Sequence, residues 1–133
     1  MRLNQASDFA LRVLMLLATK KEPMTIADIS DELGLVKTHI MKIVAKLKHA
    51  GFVDSRKGRI GGISLALPAD EISIGKVIRT IEADFAVVEC MQEGKSNCTF
   101  LPQCKLRHTI RGAANAFLAV LDQQNLSDVL VTQ

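Results

Sequence analysis

Apolar residues recur at helical spacing three times in the first fifty positions. Phe9, Val13, Leu16 and Leu17 repeat every three or four residues, with Leu11 and Leu14 apolar on a second side, and predict a well-buried helix from about Gln5 to Thr19. A turn follows at Lys20, Lys21, Glu22 and Pro23. Thr25 and Asp28 then have the spacing of a capping box, with Met24 and Ile29 placed as a hydrophobic staple, so a short helix is expected over Ile26 to Leu33. Gly34 supplies a left-handed stop. A third helix is predicted from about Lys37 to Ala50, with Ile40, Ile43, Val44 and Leu47 on its inner stripe and Gly51 ending it.

The period then changes from helical to alternating. Val53 precedes, and Ile63, Leu65 and Leu67 follow, a loop of Arg56, Lys57, Gly58, Arg59, Ile60, Gly61 and Gly62, which reads as a hairpin with a basic, glycine-rich tip. After Pro68 the helical period returns in Ile74, Val77, Ile78 and Ile81, predicting a helix from Ser73 to about Ala83. Residues 84 to 104 read as a loop, and a final helix from Lys105 to about Gln123 carries Leu106, Ile110, Ala113, Ala114, Phe117, Leu118 and Leu121 on one broad stripe. That is more apolar surface than a thin domain covers. Pairing with a symmetry mate would bury it; packing back on the first helix is the alternative.

Three helices followed by a basic hairpin is the order of a winged helix, in which the third helix enters the major groove and the hairpin reaches along the backbone or minor groove. The fold class expected is therefore mainly α with a small β-hairpin wing. Residues 1–67 are expected to form a winged helix-turn-helix for DNA, and residues 68–133 a connector helix, a cysteine loop (84–104) and a long dimerisation helix. The glycines at 58, 61 and 62 suit a wing turn better than a phosphate loop, because they lie between strands rather than before a helix.

Charge adds to this picture through its distribution. The net charge of the 133 residues is only +3, but the segment from Lys37 to Arg59 holds seven basic residues against one acid, Asp54, an excess that attracts a polyanion unless it is only a solvated face. Lys37, Lys42 and Arg56 are candidate phosphate contacts, with Lys57 and Arg59 in the hairpin tip; His39 could reach a base or a phosphate. Five Phe without Trp or Tyr give few stacking platforms, which argues against single-stranded nucleic acid. No arrangement of nucleophile, base and orienter can be assembled, so no enzyme is expected. The longest apolar run, FALRVLMLLA, is interrupted by Arg12 and is neither a membrane span nor a secretory leader, so a cytoplasmic protein is expected.

All three cysteines, Cys90, Cys98 and Cys104, fall in the one loop ECMQEGKSNCTFLPQC. In a reducing compartment disulfides are rare, and three thiols cannot pair off, leaving metal binding, redox sensing or inert thiols. The spacing C-x7-C-x5-C is open for a zinc knuckle and suits the several corners of an iron-sulfur cluster better. Three thiolates leave one iron short of a ligand. Asp8 and His108 are the candidates, the latter one helical turn beyond Cys104.

Four stretches carry a resemblance that covers nearly the whole chain: SDFALRVLMLLA, VKTHIMKIVAKLKHAGFV, GRIGGISLALPADEISIGKVIRTIE, and NCTFLPQCKL with FLAVLDQQNLSDVL. In these the chain resembles the winged-helix iron-sulfur regulators. The likeness is greater to the nitric-oxide-sensing repressors called NsrR than to the cluster-assembly regulators called IscR, because the third helix opens with Lys37, Thr38 and His39 and has Lys42 three residues later. The resemblance implies a homodimer on a palindromic operator, sensing nitric oxide at a [4Fe-4S] cluster held by Cys90, Cys98, Cys104 and Asp8 of the opposite subunit. It also implies contact of Thr38 and its neighbours with DNA. Two departures stand out: the gap between the first two cysteines is longer than is usual in the family, and Val36 stands where serine commonly caps the recognition helix. The alternatives are an IscR-like [2Fe-2S] regulator using His108 and sensing cluster supply or redox state, and an electron carrier whose basic face docks an acidic partner.

Overall fold

The structure is a computed structural model that describes residues 2–59, 61–94 and 96–131; Ile60 of the predicted wing loop lies outside them. Five α-helices and one two-stranded antiparallel hairpin are formed among these residues: α1 (Gln5–Lys20), α2 (Ile26–Leu33), α3 (Lys37–His49), β1 (Val53–Arg56), β2 (Gly62–Leu65), α4 (Ile74–Ile81) and α5 (Lys105–Asp122). The mainly helical fold with a hairpin wing and a C-terminal helix is the one the apolar pattern predicts.

Local chemistry accounts for the helix ends. The Asn4 side chain accepts the N–H of Ser7 at 2.8 Å to start α1. Thr25 and Asp28 exchange both hydrogen bonds of the capping box, and the Asp28 carboxyl is held below its ordinary pKa first by the backbone N–H of Thr25 and then by its hydroxyl. Gly34 ends α2 at φ +64°, so the chain turns sharply into α3. Helix α3 starts without a side-chain cap, because its N-cap residue is Val36. It closes at His49, with Ala50 as its cap rather than its last turn.

The core lies where α1, α2 and α3 meet the hairpin and α4. Val13, Leu14, Ile29, Ile40, Leu47, Val53, Ile72, Val77 and Ile78 are wholly buried and belong to one continuous cluster that spans both halves of the chain. The hairpin ladder runs from Val53↔Leu65 to Arg56↔Gly62. Arg56 and Gly62 therefore belong to the strands and not to the loop, which is shorter by a residue at each end than the sequence pattern suggests. Met24 and Ile63 exchange backbone hydrogen bonds of 3.0 and 2.7 Å, fastening the wing to the segment before α2. At Gly62 the φ of +148° and the approach of the Met24 backbone to 3.0 Å of a built Cβ both require glycine.

Helix α4 ends at Ile81, two residues earlier than the apolar pattern suggests, because Glu82 leaves the helical conformation. Its carboxylate instead accepts the Ser7 hydroxyl at 2.5 Å and the Asn4 N–H, pinning the start of α1 to the end of α4. Helix α5 packs on α4 rather than lying back along α1. Arg79 reaches the Asp122 carboxylate with two hydrogen bonds, of 2.6 and 3.3 Å, and Gly75 leaves room for that carboxylate, which a Cβ would overlap. Beyond α5 a turn over Leu126–Val129, not foreseen from the sequence, returns Leu126 to the core through its N–H to Ile72.

The apolar stripe of α5 is mostly unburied. Only Leu118 is buried; Ile110, Ala114 and Leu121 are half-buried, and Leu106, Phe117 and Val120 are exposed. No helix among the described residues is long and apolar enough to cross a membrane.

Candidate functional site

The DNA-facing candidates are gathered on one side of the molecule by α3 and the wing. The inner stripe of α3 faces the core, which turns Lys37, Thr38, Lys42 and Lys46 outward to solvent. Arg56, the last residue of β1, and Lys57 and Arg59 beyond it are exposed as well. Lys48 donates to the Ser55 hydroxyl at 2.7 Å and so joins the end of α3 to the wing, a link that periodicity did not reveal. Among the described residues, none of the seven cations between Lys37 and Arg59 forms an ion pair within the chain. Their charge is left for an external anion.

His39 is exposed but turned toward α1. Its ring lies 6.4 Å from that of Phe9, and the guanidinium of Arg12 stands 5.6 Å from the Phe9 ring on the same helix. Gln5, Ala6, Phe9, His39, Lys42 and Lys46 thereby border a shallow groove where α1 crosses α3.

Asp8 lies in the first turn of α1, and both its oxygens accept from Arg12, at 3.0 and 2.8 Å. The pair is about half exposed on both sides, so its net contribution is at most ~0.5 kcal/mol and the carboxylate is easily drawn away. His108, the other candidate for a fourth ligand, is exposed on α5.

The cysteine loop holds three free thiols. Cys90 lies in a 3-10 turn, Glu89–Met91; Cys98 is exposed; Cys104 caps α5 and its sulfur accepts the N–H of Arg107 at 3.4 Å. A helix N-terminus at that sulfur favours negative charge on it. One turn further in, Arg107 Nε is buried without a hydrogen-bond partner among the described residues. An orphaned donor beside a thiol loop is the type of group that bonds to cluster or thiolate sulfur.

In donor chemistry, then, the loop fits a soft iron-sulfur group. In position it does not yet: among the described residues no three His, Cys, Asp or Glu side chains stand close enough to share a metal ion. Asp8, Cys90, Cys98 and Cys104 are not brought together within one chain.

The sequence matches the family model described as Rrf2, iron-dependent transcriptional regulator, over residues 3–132. The chain belongs to the Rrf2 family. It is 42% identical over 135 residues to the HTH-type transcriptional regulator NsrR of Bacillus licheniformis, covering 100% of this chain and 94% of that one. It is 36% identical to the HTH-type transcriptional repressor NsrR of Streptomyces coelicolor, covering 98% and 88%. Among solved structures it is similar to CymR, the global cysteine regulator of Bacillus subtilis, with a TM-score of 0.77 at 25% identity over 97% of this chain and 95% of that one. The T. potens IscR structure shares the fold, with a TM-score of 0.77 at 22% identity over 96% and 85%. As a Rrf2 member the chain is a DNA-binding transcriptional regulator and not an enzyme.

Proposed function

We propose that this Rrf2 regulator is a homodimeric, cytoplasmic repressor whose hold on a palindromic operator is governed by a [4Fe-4S] iron-sulfur cluster that responds to nitric oxide. The observation that carries this reading is the gathering of every cysteine, as a free thiol, into the segment between α4 and α5. Likeness to relatives named NsrR along the full length supports the signal.

Cys90, Cys98 and Cys104 would hold the cluster, with Asp8 of the opposite subunit as fourth ligand. Bound there, the group supplies reactivity toward nitric oxide. The chain's own residues carry the response. Asp8, which accepts from Arg12 in the free chain, would instead hold the group from the opposite subunit and so tie α1 of one subunit to the cysteine loop of the other. A carboxylate oxygen is the weakest and most exchangeable donor in a set of thiolates. Because α1 packs on α3, that tether fixes how the recognition helix is presented, and its loss lets the helix drift. The exposed stripe of α5, with Leu106, Phe117 and Val120, supplies the apolar surface that pairing would bury. Lys37, Thr38, His39, Lys42, Arg56, Lys57 and Arg59 meet the duplex. A hundredfold loss of DNA affinity on signal requires about 2.7 kcal/mol of coupling between the two sites.

The test is the visible absorption and resonance Raman spectrum of protein purified without oxygen, before and after nitric oxide, alongside operator binding. A coloured protein that bleaches and releases DNA is expected; a colourless zinc protein, or a cluster indifferent to nitric oxide, would overturn the reading. Alanine at Cys90, Cys98 or Cys104 singly should abolish the stable cluster while leaving the chain folded. A full cluster retained in Cys90→Ala would remove Cys90 from the ligand set.

A further inference from the structure

Helix α3 carries two large apolar side chains on its solvent side. Met41 is 57% exposed and Val36, at the N-cap, is 61% exposed. Met41 follows Lys37 by four residues and Thr38 by three and precedes the buried Val44 by three, so it stands beside Lys37 and Thr38 at the margin of the inner stripe, with its side chain open to solvent. It borders a shallow groove of ≈ 500 Å³ between α3 and the wing, together with Thr25, Ile26, Ser55 and Arg56. The surrounding charge is positive, from Lys37, Lys42 and Arg56, and suits a polyanion.

Single exposed apolar residues are common and signify little alone. Position makes these two informative. The N-terminal residues of a recognition helix are the ones that meet base edges. In the major groove those edges present hydrogen-bonding groups at every base pair and one apolar group, the C5-methyl of thymine. A thioether or an isopropyl group pressed on polar edges strips their water and returns no hydrogen bond. Opposite a thymine methyl it buries apolar surface on both sides.

We propose that Met41, with Val36 at the head of the helix, reads thymine C5-methyl groups in each operator half-site, and so sets sequence preference where the cations set affinity. The inference rests on the DNA-binding role of the fold and is independent of the iron-sulfur reading.

Sequences bound by the full-length protein, prepared without oxygen, would be selected from random duplexes, and each thymine of the preferred site replaced by uracil, which removes the methyl and leaves pairing unchanged. Wild type should lose about fourfold in affinity per half-site at one or two positions, the factor that corresponds to ~0.8 kcal/mol for one buried methyl. Met41→Ala should bind thymine and uracil sites equally at one of these positions, and Met41→Leu should restore the difference. Because Met41 is exposed, an unchanged circular dichroism melt is expected for both variants. A flat uracil scan in wild type, or a thymine preference undiminished at every position in Met41→Ala, overturns the proposal. Failure to retain any duplex would instead strike at the DNA-binding reading beneath it.

Discussion

Val36 and Asp8 show how a single side chain trades one role for another. At Val36 the helix start gives up a hydroxyl that would accept an orphan N–H, leaving α3 uncapped. Val36→Ser should raise stability by ~0.5 to 2 kcal/mol, measured by urea denaturation, and cost thymine discrimination in the same protein. Among the described residues the Asp8 carboxylate is held by the exposed Arg12 fork alone, so replacing it should barely affect folding. Asp8→Ala should therefore leave a melt like that of wild type but a more labile cluster with an altered spectrum, whereas His108→Ala should do little. The opposite pattern, an indifferent Asp8 and a cluster lost with His108, would replace the proposed assignment with a [2Fe-2S] regulator.

Among the elements, those legible in the sequence were the ones whose apolar period is complete and whose ends carry a chemical stop. Helix α2 was readable at both ends because Thr25, Asp28 and Gly34 act locally. The end of α4 was not, since Glu82 is drawn out of the helix by Ser7 and Asn4, seventy-five or more positions away. The burial of Leu126 was equally hidden, because it depends on a backbone bond to Ile72. The exposed cations of α3 and the wing are legible in the sequence as a charge excess, but the positions of Lys48 and Met41 against the wing are not, since helical spacing does not reveal what the wing leaves beside them. The thiols were visible as a constellation; their separation in the chain was not, because a loop has no period to fix it. Where α4 meets α5, Arg79 holds the Asp122 carboxyl below its ordinary value, chiefly through their hydrogen bonds. A group depressed in the folded state contributes stability above its unfolded pKa, close to 3.8, and loses it as pH falls through the folded value. The melting temperature should accordingly drop as pH goes below about 4, and Asp122→Asn should flatten that part of the profile.

At the scale of the whole molecule, the even-looking net charge conceals a division of labour: the half with α3 and the wing carries 11 Lys+Arg against 6 Asp+Glu, and the half with the cysteine loop carries 6 against 8. Because none of the cations between Lys37 and Arg59 is paired within the chain among the described residues, their field is available to phosphates. Each phosphate neutralised releases condensed counterions, so affinity falls with salt in proportion to the number of contacts. If Lys37, Lys42 and Arg56 each meet one phosphate per subunit, a dimer makes six contacts, and log K against log salt should have a slope of roughly −5. Lys42→Ala removes two of the six and should bring the slope to roughly −3.5, weakening all duplexes alike and leaving sequence preference intact. Met41→Ala should do the reverse, keeping the slope and relaxing the preference. A slope near zero for the unaltered protein would mean that the basic face is only solvated. A slope near half the expected value would mean that one subunit alone engages the duplex, which the exposed stripe of α5 argues against.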